Sequence, residues 1–537
     1  MPRAPVIACL LALVSFGCAP KPDPVTLDVL FTGGLVYDGT GAKPYAAEVG
    51  VANGRIILLD PLTEQPVKAA DSIDISGLWI APGFIDAHSH AMLDADYGND
   101  AIPYLTQGIT TVVLGLDGDG TTDVAGRFDL WRTRGIGVNG LHFAGHGYIR
   151  EQVMGREDRA PTDAELAEMK TLLRNAMEQG AFGLSTGLFY VPGTYANTEE
   201  VIELAKVAAA YPQAIYDTHD RDLGAVYQGV GYEESVEEGI RITAESGLRG
   251  IFSHYNLQGA HNYGRAELGA KLINDARARG VDIWAAQHPY TATQSNLRAY
   301  TIPDWAAAGS HEAMVARFDD LRSADAIRDA TNAMLQVRGG AAKIQFVDPR
   351  PDLNGRTLAQ VANTREESAA DTVQWILRTG NAVVMNLELY DHNNTRRLAQ
   401  EPWMMTCTDG RTPRPDQPMT HPRAFGAFPK KMRHFVFEEA LVTPEFMIRS
   451  FSGLAADFYR LNDRGYLKNG YVADLVVIDP QHYRDLATFE SPQRLSEGVV
   501  HALVNGHFAV RNAKMTGALA GVPIARPAFP ASANEEP

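Results

Sequence analysis

The chain has 537 residues, of which 45% are hydrophobic and 21% are charged, so it can form a large globular core with a smaller second domain. Its formal net charge of −17 argues against nucleic-acid binding, because neutralising phosphates requires a basic surface. An anionic substrate would therefore need a local positive site. The cysteines are Cys9, Cys18 and Cys407, and the first two fall in a predicted export signal, so a framework of intramolecular disulfides is excluded.

Residues 1–18 are predicted to be that export signal. A positively charged start and a short apolar run precede Gly17-Cys18, which is a small-residue processing point. The run falls short of the roughly 20 apolar residues that span a membrane. Two outcomes stay open: Cys18 is lipidated as in a bacterial lipoprotein, or cleavage nearby releases the protein, since Ser15 stands where a lipobox usually has leucine. Both outcomes predict periplasmic export and a tether at residues 19–26, and in the first outcome the lipid at Cys18 is the sole membrane attachment.

Both ends of the mature chain are rich in predicted β-strands. Residues 27–80 contain apolar alternations separated by Gly and Asn-Gly turn signals, and residues 461–537 have the same texture before a short tail. Two such ends around a long middle predict one small β-sandwich domain that is built from both termini.

Residues 81–460 alternate strand-like and helix-like segments, which is typical of βα units around a parallel sheet. The eight strand candidates are WIAPGFIDAHSH, TTVVLGLDG, VNGLHFAGHG, AFGLSTGL, AIYDTHD, RGIFSHYN, VDIWAAQHPY and WMMTCTDG. The fold class is therefore predicted to be α/β, a (β/α)₈ barrel of the TIM type. The stretch between strands seven and eight is too long for one helix, so an insertion is predicted at about residues 310–370.

Side chains that bind metals stand at the predicted carboxyl ends of these strands, where the active sites of such barrels lie. They are His88 and His90 after strand one, Asp117 after strand two, His219 after strand five, His254 after strand six and Asp409 after strand eight. Taken singly, each has a structural explanation, as a packing histidine or as the aspartate of an Asp-Gly turn. Histidines at i and i+2 project to the same side of a strand, and imidazoles with carboxylates are a usual donor set for Zn²⁺. Together they predict a metal centre.

With these residues in place, the chain resembles the amidohydrolase superfamily, and within it the D-aminoacylases, which are N-acyl-D-amino-acid deacylases. The resemblance extends from about residue 27 to 520. PGFIDAHSH is typical of the whole superfamily, whereas GLSTGLFYVPGTYA and HPRAFGAFP are specific to the deacylases. The resemblance implies the same architecture as the residue pattern: a barrel, a β-sandwich from both termini and an insertion late in the barrel.

The resemblance also implies the reaction. The amide bond of an N-acyl-D-amino acid, a related D-amino acid conjugate or a short peptide would be hydrolysed to a carboxylate and a free D-amino acid. One or two Zn²⁺ ions would activate water, and Asp409 would act first as general base and then as general acid. His219 and His254 would hold the tighter metal, and His88 and His90 the second, with Asp409 near it.

Arg423 in the HPR segment is the implied partner of the substrate α-carboxylate, since a guanidinium binds a carboxylate at two points. Tyr190 and Tyr290 match tyrosines that line the site in the family. The residues alone leave alternatives open: a surface arginine, and tyrosines packed in the core.

Three departures from the family pattern bear on the site. Asn256 stands where a lysine is common, and Ala286 to Tyr290 (AQHPY) replace an Asp-x-Tyr-Pro-Tyr segment, which introduces His288. Asp117 stands where D-aminoacylases usually have a cysteine ligand. A carboxylate there exchanges a soft sulfur for hard oxygens that can bridge two cations.

Two alternative functions remain. A dipeptidase or a cyclic-amide hydrolase of the same superfamily is one, although AFGLSTGL on strand four has no lysine, which disfavours relatives that bridge their metals through a carboxylated lysine. A non-catalytic binding protein is the other. It is disfavoured because the chain keeps every predicted ligand, including Asp409.

Overall fold

The computed structural model describes residues 25–59, 67–224 and 230–527. The predicted export signal and most of the predicted tether lie outside these residues. In the part of the chain that the structure describes, no helix combines the length and apolar character that a membrane crossing requires.

Eight parallel strands form a barrel at the centre of the molecule, as predicted. In order, they are Phe84–Asp86, Ile109–Leu114, Asn139–His142 with its continuation Ala144–Gly145, Gly183–Gly187, Ile215–His219, Arg249–Phe252, Ile283–Gln287 and Met404–Thr406. Neighbouring strands pair in parallel from the first to the eighth. The eighth meets the first through hydrogen bonds from Ala87 N to Thr406 O (3.3 Å) and from Asp409 N to His88 O (2.9 Å). All six residues of strand two are buried, as expected for a parallel strand that is covered on both faces.

Helices cover the outside of the barrel. Around strands one to seven they are Ile102–Leu105, Val124–Arg134, His146–Met154, Asp163–Glu178, Thr198–Ala209, Tyr232–Ser246 and Ala266–Ala278. After strand eight they are Arg423–Met432, Pro444–Phe451 and Gly453–Tyr459. Local sequence explains where several of them begin: Thr162 and Glu165, for example, form a reciprocal capping box at the start of the fourth helix.

Both chain ends build the second domain, a β-sandwich. One sheet contains Val25–Thr32, Glu48–Ala52, Arg55–Leu59 and Val67–Asp74. The other contains Leu35–Val36, Tyr45–Ala46, Trp79–Pro82, Leu475–Ile478, Val499–Val504, His507–Arg511 and Lys514–Met515. In the second sheet Trp79–Pro82 pairs antiparallel with Leu475–Ile478, so the two ends share one sheet. Apolar side chains of both sheets form a common core that includes Phe31 and Leu475.

The insertion between strands seven and eight is wider than the predicted range of 310–370. It contains a three-stranded antiparallel sheet of Thr293–Asn296, Ile344–Phe346 and Val383–Asn386. Its helices are Leu297–Thr301, Asp304–Ala307, His311–Asp319, Ala324–Val337, Leu358–Arg365, Ala369–Arg378 and His392–Leu398. The sequence did not indicate the first strand, TQSN, because it is polar and is held by long-range pairing rather than by its own propensity.

Candidate metal centre

The six predicted ligands converge at the carboxyl ends of the barrel strands. They form two groups whose ligand atoms lie within 4.8 Å of one another: His88, His90, Asp117 and Asp409 in one, and Asp117, His219 and His254 in the other. Asp117 belongs to both groups. The sequence placed these residues on five different strands, and the barrel brings them to one point.

The Asp117 carboxylate lies between the histidines. Its Oδ1 is 3.5 Å from His88 Nε2, 3.6 Å from His219 Nδ1 and 3.7 Å from His254 Nε2. Its Oδ2 is 3.3 Å from His90 Nε2. Asp409 Oδ1 lies on the side of the first group, 3.4 Å from His90 Nε2 and 3.7 Å from His88 Nε2. A carboxylate shared in this way can supply one oxygen to each of two cations.

Three of these residues have a left-handed backbone, which is uncommon for side chains other than glycine. The φ angles of Asp117, His254 and Asp409 are 56°, 30° and 49°. Close packing supports the turn at Asp117: a Cβ on Gly187 would lie 2.1 Å from Asp117 O, so only glycine fits there. Unusual backbone at three ligands indicates a functional constraint on the direction of their side chains.

Asp86, a residue that the sequence did not single out, connects two ligands. Its Oδ1 accepts hydrogen bonds from Thr408 N (2.7 Å) and His88 N (3.4 Å), and its Oδ2 accepts one from the Thr408 hydroxyl. Burial raises the pKa of Asp86 to about 7. Because Thr408 precedes Asp409, Asp86 holds the ends of strands one and eight in register and thereby positions His88 and Asp409.

Asp217 supports two other ligands, Asp117 and His254, in a similar way. It accepts hydrogen bonds from Ser185 Oγ (2.7 Å) and Ser253 Oγ (2.8 Å), and Ser185 Oγ accepts one from Gly118 N (3.3 Å). The buried Asp217 therefore supports the turns that carry Asp117 and His254. A sequence signal existed, because Asp217 lies two residues before His219 and so shares its face of the strand.

Electrostatics keeps both carboxyl groups ionised. Burial alone would raise the pKa of Asp117 and of Asp409, but neighbouring side chains that favour the ionised carboxylate outweigh it. For Asp117 these are the histidines, and its pKa lies well below the usual range. For Asp409 the largest of these effects is the charge of the Arg423 guanidinium, and the pKa of Asp409 is also lowered.

The histidines differ in protonation. Burial lowers the pKa of His88 to about 3, which leaves this imidazole neutral, as a metal ligand must be. Burial also acts against protonation of His90, but Asp117 and Asp409 raise its pKa to about 10. Within the described residues, Asp117 Oδ1 and His219 Nδ1 face each other without a hydrogen-bond partner. Unpartnered buried ligand atoms in a set of imidazoles and carboxylates fit one or two divalent cations such as Zn²⁺.

A cavity of about 600 Å³ opens over the ligands. The arginines among its lining residues are Arg156, Arg298, Arg411, Arg414 and Arg423. Arg423 is 3% exposed, its Nη1 donates a hydrogen bond to Asp409 Oδ2, and its Nε has no partner among the described residues. Because the cavity is also lined by Asp117, Asp119, Glu151, Asp304 and Asp409, a positive group for an anionic substrate is confined to the arginines themselves.

The structure separates the two predicted substrate-binding tyrosines. Tyr190 lines the cavity, its ring centroid lies 4.7 Å from that of His219, and its hydroxyl accepts a hydrogen bond from Ser295 Oγ (3.2 Å). Tyr290 lies outside this cavity and lines a neighbouring one of about 440 Å³. Its hydroxyl donates to Pro422 O (3.4 Å) and its ring packs against that of His421, which holds it on the far side of the HPR segment.

Two further polar residues lie around strands six to eight. Asn256 Nδ2 donates a hydrogen bond to Thr395 Oγ1 (2.8 Å), so this side chain serves the insertion rather than the cavity. Lys431 is fully buried behind strand eight, where its Nζ donates to Thr406 Oγ1 (2.9 Å). No carboxylate in the described ranges pairs with it, and burial lowers its pKa to about 7.

Known proteins share this architecture. The model of the amidohydrolase family matches residues 71–510. The D-aminoacylase of Alcaligenes xylosoxydans xylosoxydans is 32% identical over 534 residues, covering 95% of this chain and 99% of the relative. The N-acyl-D-aspartate deacylase of the same organism is 32% identical and covers 92% of this chain and 94% of the relative.

A solved structure of the N-acyl-D-glutamate deacylase of Bordetella bronchiseptica, in complex with zinc and a phosphonate mimic of the tetrahedral intermediate, superposes with a TM-score of 0.77 at 29% identity. The alignment covers 94% of this chain and all of that one. The family match over residues 71–510 and the relatives of 32% identity that cover nearly the whole chain show that the chain belongs to the amidohydrolase family, in its D-aminoacylase branch.

Proposed function

We propose that this protein is a metal-dependent deacylase that hydrolyses the amide bond of N-acyl-D-amino acids to a carboxylate and a free D-amino acid. The observation that carries the proposal is the position of Asp117 in both ligand groups, with Asp409 and Arg423 beside them. That arrangement places metal ligands, an ionised carboxylate and a carboxylate-binding cation at one cavity.

Each group of residues at the cavity has its own role in the proposed reaction. Zn²⁺ held by the histidines and Asp117 would supply an activated water and polarise the scissile carbonyl. Asp409, which is ionised, accepts the proton of the water and then delivers it to the leaving nitrogen. Tyr190 borders the same cavity and limits the space in which the acyl group can lie.

Arg423 connects substrate binding to the basicity of Asp409. Its guanidinium is the leading cause that lowers the pKa of Asp409. A substrate α-carboxylate that binds Arg423 shares that positive charge, so the pKa of Asp409 rises as the substrate binds. Asp409 is thus a better proton acceptor in the complex than in the free enzyme.

The substrate class follows from the cavity and from the relatives. Arg423 at the cavity suits a carboxylate, and the relatives are named as deacylases of D-amino acid derivatives, with aspartate and glutamate among the side chains. The experiment is a screen of paired N-acetyl-D- and N-acetyl-L-amino acids, with metal analysis of protein grown with zinc. We expect at least one equivalent of zinc and a preference for the D series. Less than one equivalent of zinc together with no hydrolysis would refute the proposal that the protein is an enzyme. A preference for the L series would refute the proposal that its substrates are D-amino acid derivatives.

D-terminal dipeptides belong in the same screen, because a dipeptidase or a cyclic-amide hydrolase is the alternative within the family. The fourth barrel strand, Gly183–Gly187, contains no lysine that could be carboxylated to bridge two metals. The missing lysine disfavours the relatives that use it as a bridge and thereby favours the deacylase.

We also propose export to the periplasm with a lipid on Cys18, from the sequence of residues 1–18. Mass spectrometry of the mature protein tests this. A lipid-modified Cys18 at the N-terminus is expected, and an unmodified N-terminus elsewhere would exclude the anchor.

A further inference from the structure

His288 follows strand seven and is 2% exposed, and its two ring nitrogens have different surroundings. Its Nδ1 lies 3.2 Å from the backbone nitrogen of Tyr290. A backbone N–H can only donate, so Nδ1 is the acceptor and the proton of the neutral ring is on Nε2.

The Nε2–H faces a second donor. Arg423 Nη1 lies 3.3 Å from His288 Nε2, and since both atoms carry hydrogens they cannot bond to each other. Asp409 Oδ2, which already accepts from Arg423, is 3.8 Å from His288 Nε2, beyond hydrogen-bond distance. Arg423 Nε also lacks a partner among the described residues. Two buried side chains therefore direct donors to one place that has too few acceptors, which is costly unless an anion binds there.

We propose that the Nε2–H of His288 and the guanidinium of Arg423 together bind the α-carboxylate of the substrate, which makes His288 a specificity-determining residue for substrates that carry this group. The inference rests on the proposed function. A carboxylate has two oxygens and only accepts hydrogen bonds, so it satisfies both side chains at once. Arg423 lines the cavity and His288 adjoins it, whereas Asn256 donates to Thr395, so His288 rather than Asn256 can supply the second donor beside Arg423.

A structural role for His288 is the competing explanation, because its Nδ1 holds the backbone at Tyr290. Two substitutions separate the roles. Asparagine places its amide oxygen near the position of Nδ1 and leaves the position of Nε2 empty, whereas glutamine reaches the position of Nε2 and leaves that of Nδ1 empty. His288→Asn therefore keeps the internal acceptor and removes the donor to the substrate, and His288→Gln does the opposite.

The experiment uses the zinc-loaded full-length protein and two substrates, an N-acetyl-D-amino acid and the same compound with a primary amide in place of the α-carboxylate. We expect His288→Asn to raise KM for the acid about tenfold or more, the value of a hydrogen bond to a charged group, with little change for the amide. His288→Gln should stay near the wild type for the acid. If His288→Gln is impaired and His288→Asn is not, or if acid and amide suffer equally, the inference is wrong.

A binding measurement separates this inference from the proposed function. If the wild type hydrolyses neither compound, the proposed function fails, and calorimetric binding of the acid and the amide then tests the carboxylate site by itself. A preference for the acid that is lost in His288→Asn supports the inference, and equal binding of acid and amide by the wild type overturns it. His142→Asn is the matched control, since His142 is a buried histidine whose Nε2 bonds to Thr121 O, away from Arg423.

Discussion

Replacing Asp117 with asparagine tests whether one carboxylate holds both ligand groups together. Asparagine has nearly the same size and tolerates the left-handed backbone of this position, where φ is 56°, so the fold should persist. The change removes the negative charge and replaces one oxygen with an amide nitrogen that cannot bind a cation. Any loss of metal is then a property of the charge and of the second oxygen.

The magnitude follows from the geometry. Oδ1 faces His88, His219 and His254 at 3.5–3.7 Å, and Oδ2 faces His90 at 3.3 Å, so the substitution removes a ligand shared by both groups. Loss of a residue that only supports a ligand costs about 10–100-fold in metal affinity. Loss of the shared ligand itself should cost at least about 100-fold, which is roughly 2.7 kcal/mol. The assay is metal content after dialysis against graded chelator, together with hydrolysis of an N-acetyl-D-amino acid.

Asp119→Asn is the matched control, because Asp119 lines the same cavity two residues away and belongs to neither ligand group. It should keep its metal. Asp117→Cys restores the ligand usual in the family and is expected to retain one zinc. The reasoning is refuted if Asp117→Asn holds as much zinc as the wild type and resists chelator equally well, since Asp117 would then only shape the turn with Gly118.

Three further predictions concern buried charges. Lys431→Met should raise the free energy of unfolding below about pH 7, where the folded protein buries a protonated lysine, by at most roughly 5 kcal/mol for a pKa lowered from 10.5 to about 7; the gain, followed by denaturant unfolding, should vanish as the pH rises toward 10.5, and a pH-independent gain would contradict it. Zinc binding should release protons, because the pKa of His90 is raised to about 10; titrations in two buffers of different ionisation enthalpy measure this, and buffer-independent heats would count against it. Asp217→Ala should weaken zinc binding about 10–100-fold through the ligand turns, whereas unchanged chelator resistance would show that Asp217 only fills the barrel.

Much of the fold and of the metal centre could be predicted because the signals are local. Apolar strands that end in a histidine or an aspartate need only the rule that parallel strands share one end. The apolar pattern predicted all eight strands, and the rule selected the six side chains that the structure brings together, since each lies within four residues of a strand end.

The remaining features depend on contacts between distant segments. Tyr290 follows strand seven like a site residue, but packing against His421 directs it into another cavity. Asp86 acts through Thr408, which is more than 300 residues away in the chain, and no local pattern reports that pair. The left-handed backbone at His254 likewise has no signal in the local sequence, because surrounding packing stabilises it, whereas Asp117-Gly118 and Asp409-Gly410 at least carry an Asp-Gly turn signal.

The charge balance at the site makes substrate binding depend on the metal. In the metal-free protein, the charges of Asp117 and Asp409 are offset by Arg423 and by protonated His90. A divalent cation would displace the proton of His90 and bring a larger positive charge. The cation would then neutralise the two carboxylates, so the charge of Arg423 would be available to a substrate carboxylate. We therefore expect an N-acetyl-D-amino acid to bind the zinc-loaded protein at least about tenfold more tightly than the metal-free protein, whereas its primary amide should gain less from the metal. Calorimetry at one pH measures both. If zinc raises the affinity for acid and amide equally, the metal acts only on the acyl carbonyl, and the positive field of the site does not select the substrate.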